Sequence, residues 1–249
     1  MSAITFLLIG FFLPLFPFSI AFNAVLVRVT SPWLRVALLL LWPQLGLLAL
    51  SAQADPVPSW LVVWALATSL LYAFRLVAMR EVGRWSGFLA TSAWAVLWLP
   101  VCGGVATSQL WVFAAGFSIP LAFIILLAAM LENRFGAAYT GLYGGLARRM
   151  PRFAGVMVIS VLAATATPLF PAFFAMLHTL IVSQPVPAVT LTGIWLMWSW
   201  AAARLLQGLI VGPAEPAPES DLPIATTWSY AAGLSGLVVA GLILTGSRL

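Results

Sequence analysis

Apolar residues run along this chain in long continuous stretches, not in the alternating pattern of a half-buried strand. Prolines, glycines and charges divide them into segments at about 4–27, 33–51, 59–79, 86–104, 108–131, 153–168, 170–183, 188–211 and 225–246. Most are near the roughly 20 residues that a spanning helix needs. Helices and closed barrels both satisfy the backbone in lipid, but barrel strands alternate in hydrophobicity and these runs do not. The pattern predicts an all-α fold, a polytopic transmembrane helical bundle of about nine membrane segments, as one membrane domain over 1–249. One region does not fit a simple helix. Drawn straight, 152–183 would be about 48 Å long against a hydrocarbon core of about 30 Å. Pro168 and Pro171 also interrupt it. The expectation is a helix, a break near 166–171 and a short returning helix. Read instead as one tilted crossing, it moves everything downstream to the other side.

Composition confirms the solvent. A soluble domain carries about a quarter charged residues, whereas 7% are charged here, 63% are hydrophobic and mean hydropathy is +1.09. All 11 basic side chains are Arg. Threaded through nine crossings, Arg28 and Arg35, then Arg75, Arg80 and Arg84, then Arg134, Arg148, Arg149 and Arg152, and finally Arg248 fall on one face. Asp55 and the acidic stretch Glu215, Glu219, Asp221 fall on the other. The positive-inside rule makes the Arg face cytoplasmic, with the N-terminus outside and the C-terminus inside. The first 27 residues hold no basic side chain, so a secretory n-region is missing and the first run is expected to remain as a helix. The pI near 10.4 reads as cytoplasmic loop charge, with no nucleic acid implied.

Little chemistry is on offer. One His, six acids and the single Cys102 give no metal cluster or internal disulfide, and Cys102 reads as a small buried hydrophobe. Gly144-Gly145 follows a membrane helix, not a strand, which argues against a phosphate cradle. The expectation is no enzyme, no cofactor, no metal and no catalytic residue. Among the 12 tryptophans, Trp60, Trp85 and Trp228 read as interfacial anchors, while Trp195, Trp198 and Trp200 crowd one helix. Residues 213–223 read as an exposed, flexible Pro/acidic loop.

Between about 75 and 215 the residues resemble the second half of the antiporter-like, proton-channel subunits of complex I. Gly141-Leu142-Tyr143-Gly144-Gly145-Leu146-Ala147-Arg148-Arg149-Met150-Pro151 looks like the family's GGLARRMP link. Upstream, Glu81-Val82-Gly83-Arg84-Trp85-Ser86-Gly87-Phe88 is similar to the D-x-K-R-x-x-A-Y that opens an ion-path helix. Downstream, Ala166-Thr167-Pro168 stands where GLP is expected and Ala172-Phe173 where GF is expected. The stretch from Ala201-Ala202-Ala203-Arg204 through Val211-Gly212-Pro213 resembles a helix ending F-G-P. Residues 1–58 have no clear match, and the resemblance implies a C-terminal half without the first repeat.

The resemblance also implies what is missing. Family members relay protons along Lys, Glu and His at mid-membrane, and buried ionisable groups usually mark ion pathways. Here the expected His positions fall on Ala93 and on or beside Phe117, and the acid falls near Met176. The remaining ion-path candidates are His178, Glu81, Arg204 and Arg84. His178, the one histidine, is read as a proton-relay candidate against plain packing or interfacial placement. Glu81 beside Arg80 and Arg84, and Glu132 with Arg134, read most simply as interfacial ion pairs. Arg204, about two turns from its helix end, either snorkels to the acidic-side surface or pairs with a neighbouring subunit's carboxylate. Asn23, Gln44 and Gln207 offer bonds across helices.

Three functions compete on this evidence. The first is a degenerate antiporter-like subunit of a proton-coupled complex, of complex-I-like or inorganic-carbon-uptake type, in a bacterial cytoplasmic membrane. Its expected partners are the lipid bilayer, a larger antiporter-like membrane subunit and a soluble catalytic or redox subunit. The second is an active proton or cation translocator that uses His178 with partner-donated groups. The third is a membrane enzyme or carrier, disfavoured because only one helix break is evident and carriers tend to show inverted repeats with discontinuous helices.

Overall fold

The computed structural model describes residues 3–52, 57–142, 144–212 and 220–246. In chain order the helices are α1 (Ala3–Phe12), α2 (Ser19–Arg28), α3 (Pro32–Ser51), α4 (Trp60–Ala78), α5 (Val82–Val96) and α6 (Trp98–Cys102). They continue with α7 (Thr107–Phe135), α8 (Leu146–Arg149), α9 (Pro151–Ala164), α10 (Pro171–Val182), α11 (Pro185–Ile210) and α12 (Ile224–Gly246). Local sequence sets many of the boundaries. Pro opens α3, α9, α10 and α11 in the first turn, where its missing N–H leaves no bond unmade and its φ suits the helix. Gly136, at φ +79°, ends α7 in the left-handed conformation that favours glycine.

Among the described residues, six helices are long and apolar enough to cross a membrane: Pro32–Ser51, Trp60–Ala78, Val82–Cys102, Thr107–Phe135, Pro185–Ile210 and Ile224–Ile243. The chain is a multi-pass helical membrane protein. The remaining apolar helices are short and interrupted, α1 and α2 parted by one break and α9 and α10 by another, in place of the three further crossings expected from nine segments. The run 4–27 is not one helix: it stops at Phe12 and restarts at Ser19, around a turn that includes the cis Phe16–Pro17 bond. The two breaks share one tetrapeptide, Pro14-Leu15-Phe16-Pro17 and Pro168-Leu169-Phe170-Pro171. Two prolines three apart remove donors and clash with the preceding turn, so neither helix continues through.

At the centre stands α5, buried along its length and packed against α2, α4, α7 and α11. Close approach is possible because Gly87 lacks a side chain: a Cβ there would lie 2.8 Å from Leu26 and 2.9 Å from Asn23 Oδ1. Trp85, Trp94, Trp98 and Trp198 are among the largest fully buried side chains. Trp85 is therefore core, not an interfacial anchor, while Trp60 and Trp228 are exposed.

The second correction concerns sidedness. After its break α10 does not return. Pro171 lies against Gly116 of α7, and His178 reaches Phe113, nearer the start of that helix. Thus α9 and α10 make one interrupted passage, and α11 runs back to the arginine-bearing end. There the N–H of Gly141 donates to Gly208 O (3.0 Å), and that of Thr140 donates to Arg80 O (2.8 Å). Asp221, the described acid of that stretch, consequently lies with the arginines. Asp221 pairs with Arg152 at 3.4 Å, and Arg134 donates to Ser220 O. From that end α12 runs away, so its last described turn lies opposite the arginines and not with them as expected. Residues 220–222 are docked rather than free, with Leu222 fully buried; Asp55, Glu215, Glu219 and Arg248 lie outside the described residues.

Candidate functional site

At the arginine-bearing end, Glu81 precedes α5 with extended backbone, φ −86° and ψ 122°. The strip 80–82 pairs with 138–140: Val82 N–H donates to Ala138 O (3.0 Å) and Thr140 N–H to Arg80 O (2.8 Å). This clasp brings the Tyr139 hydroxyl to Glu81 Oε2 (3.2 Å), which Arg84 Nε also meets at 2.9 Å. Arg84 is half-exposed, so the trio is a surface ion pair with a phenol donor. Glu132 does not pair with Arg134. It meets Arg35 Nη1 from α3 at 3.4 Å, while Arg35 Nε donates to Val29 O (2.6 Å). Arg204 stands apart from all of these. It lines a surface groove with Arg75 on α4, at the end of the bundle opposite the one expected for it.

His178 sits on α10, past the second break, with its ring 5.5 Å from that of Phe113. Its Nδ1 is buried without a hydrogen-bond partner. Sequence positions 93, 117 and 176, where the resemblance places ionisable groups, are Ala93 and Phe117 at 1% exposure and Met176 at 0%. Each is a packed part of the core. The structure does not bring Glu81, Arg84, Arg204 and His178 together: the first three belong to the arginine-bearing end and the last to the interior beside α7.

What fills the interior is a set of hydroxyls and indoles. Among the described residues, the buried polar side chains are serines and threonines. Ser92 and Ser69 exchange bonds to each other's carbonyls (2.8 and 2.9 Å), and Trp198 Nε1 donates to Ser92 Oγ (2.9 Å). Trp94 Nε1 donates to Ser118 Oγ (3.1 Å), and Asn23 Nδ2 to Thr91 Oγ1 (2.8 Å). A single turn of α5, residues 91–94, is thereby tied to α2, α4, α7 and α11. Such bonds hold membrane helices together at about 1 kcal/mol or less each. Sequence reading named Asn23 as a cross-helix donor; the serines carried no signal of their own.

The breaks are served the same way. Trp42 Nε1 donates to Phe11 O (3.2 Å), Trp98 Nε1 to Leu13 O (3.1 Å) and Trp64 Nε1 to Phe16 O (2.7 Å). Phe16 N–H donates to Thr68 Oγ1 (3.1 Å). At the second break Trp195 Nε1 donates to Thr165 O (3.2 Å). Irregular backbone at membrane depth needs partners from protein or water, and here tryptophan supplies them. Among the described residues, no three of His, Cys, Asp or Glu converge as metal ligands would.

No protein-family model matches the sequence. An uncharacterized protein of Aquifex aeolicus (strain VF5) is 22% identical over 238 residues, covering 94% of this chain and 96% of that protein. A chain of respiratory complex I from Thermus thermophilus superposes with TM-score 0.83 at 22% identity, covering 94% of this chain and 52% of that one. A chain of the membrane-bound sulfane sulfur reductase, an archaeal respiratory membrane complex, gives TM-score 0.79 at 17% identity over 96% of this chain and 51% of that one. One from the Mrp complex of Dietzia sp. DQ12-45-1b gives 0.70 at 17% identity, over 85% and 42%. This chain spans about half the length of the solved chains it matches. It shares, across nearly its whole described length, the fold of membrane chains in respiratory complex I, the Mrp complex and the sulfane sulfur reductase.

Proposed function

We propose that this chain is an antiporter-like subunit of a multi-subunit, proton-coupled membrane complex, and that it braces or couples that complex without being a complete proton pump. The fold likeness supports the first half. The second rests on one observation: the positions where a relay would stand are filled by Ala93, Phe117 and Met176 in a packed core. The carbonyls of the breaks point to the same role. In a carrier, unwound backbone coordinates the transported ion; here indole N–H groups occupy four carbonyls at the breaks, those of Phe11, Leu13, Phe16 and Thr165. The host is of complex-I-like or inorganic-carbon-uptake type, in a bacterial cytoplasmic membrane with the arginine-bearing end inside. The partners are a larger antiporter-like membrane subunit and a soluble catalytic or redox subunit. Native purification in mild detergent, with mass-spectrometric identification of what accompanies the chain, is the test. Recovery of both partners is expected, and a stable lone monomer would overturn the proposal.

A second reading, active translocation, draws on the unpartnered Nδ1 of His178 beside an interrupted helix. It is separated by His178→Ala. Under the bracing role the variant assembles and supports nearly full activity of the complex; loss of transport with assembly intact would favour translocation.

A further inference from the structure

Between α4 and α11 lies a surface groove of 690 Å³ whose walls include Phe74, Leu196 and Trp200. It opens toward the arginine-bearing end into a second, polar cavity of 340 Å³ that contains Arg80, Thr140 and Gln207. Val77, Ala78, Met79 and Arg204 line both, so the two form one continuous slot, apolar at one end and basic at the other. Arg75 adds a further cation, its guanidinium 4.7 Å from the Phe88 ring centre. Among the described residues, no acid lines either part. Glu81, the neighbouring carboxylate in sequence, is turned to Arg84 and Tyr139.

We infer that this slot binds an anionic phospholipid of the cytoplasmic leaflet, its phosphate among Arg75, Arg80 and Arg204 and an acyl chain along Leu196 toward Gly193. Length supports a lipid. Gly193 and Arg204 are eleven residues apart on α11, about 16 Å along the helix, roughly half the hydrocarbon thickness. The slot thus reaches from headgroup level to the middle of the bilayer and stops. A partner helix would cross both leaflets. Charge supports an anion, because like charges gathered at a bilayer surface without a counter-ion repel one another and attract acidic headgroups. Position supports it too: Arg204 lies about 9 Å before the end of α11 at Ile210, within reach of the interface by snorkelling.

The experiment is native mass spectrometry of the full-length chain in mild detergent, titrated with phosphatidylglycerol or with phosphatidylcholine of the same acyl chains. Phosphatidylglycerol is expected to be retained and phosphatidylcholine not. Arg204→Gln weakens retention about fivefold and Arg75→Gln with Arg204→Gln about thirtyfold, at the strength of one basic residue near an acidic surface. Gly193→Leu tests the slot with all arginines intact. A Cβ at Gly193 meets nothing within 4 Å, so the new side chain fills the apolar end without a clash and is expected to reduce retention. Arg28→Gln, outside the slot, leaves it unchanged. Equal retention of the two lipids, or undiminished retention in both the double variant and Gly193→Leu, would overturn the inference. So would a photo-crosslinker at Leu196 that captures a protein chain in native membranes; capture of lipid supports it.

Discussion

Leu13 O lies in a break, and the indole of Trp98 meets it with both residues fully buried. Removing the donor leaves a buried acceptor with no replacement, which costs about 1–3 kcal/mol. Trp98→Phe should therefore lower the melting temperature in detergent, whereas Trp228→Phe, at an exposed site, should change stability by less than about 0.5 kcal/mol. Equal effects would mean that the indoles pack without holding the breaks. The second break offers a different residue-scale test. Ala166 has φ +57° and Leu169 φ +85°, where a side chain costs about 1–2 kcal/mol relative to glycine. Ala166→Gly should thus be neutral or stabilising. Ala163→Gly, about one turn earlier and within α9, should cost about 1 kcal/mol. Thermal unfolding of the two variants side by side checks the pair.

At the scale of elements, α9 begins on a carboxylate from 69 residues away. Asp221 accepts from the backbone N–H groups of Arg152 (2.8 Å) and Phe153 (3.1 Å), and from its neighbour Leu222 (2.7 Å). It thereby caps the helix start where the dipole is positive. Burial pushes its carboxyl upward, but the three N–H bonds and the Arg152 charge outweigh that and hold it below its ordinary value of 3.8. A carboxylate lowered on folding stabilises fully above its unfolded value and loses that contribution as pH falls through the folded value. Acidification below about pH 4 should therefore loosen the α9 start, and Asp221→Asn should remove that acid sensitivity while costing about 0.3–1 kcal/mol at neutral pH. Hydrogen exchange at the first turn of α9 reads both. The element scale also shows what sequence reading could reach. The break at 166–171 was legible from Pro168 and Pro171, and the same Pro-Leu-Phe-Pro at 14–17 was an equal signal inside a run long enough to pass for one helix. The Glu81–Arg84 pair was legible because i,i+3 residues share a helix face. Tyr139, its third member, comes from 58 residues away and carried no local mark.

For the whole molecule, sidedness was the part that pattern alone misplaced. Acidic residues contribute little to the positive-inside bias, so the acidic stretch was a poor guide. Asp221 is at the arginine-bearing end because α9 and Arg152 need it there. The described arginines still cluster at one end of the bundle. What passes across it follows from the interior. A proton wire requires groups or waters within hydrogen-bond reach from one end to the other, whereas the central helix α5 is buried from Trp85 to Val96 and tied to its neighbours by serine, threonine and indole bonds. Most of those hydroxyls donate to carbonyls along their own helix or its neighbour. The chain alone, reconstituted in liposomes with a pH gradient, should therefore dissipate that gradient no faster than protein-free vesicles. The measurement is decisive in either direction. A flux that Ala93→Lys or Met176→Glu must create would show that the fold retains a path and lacks only its relay. A flux already present in the unaltered chain and lost in His178→Ala would show that one histidine and ordered water suffice, and the bracing role would fall.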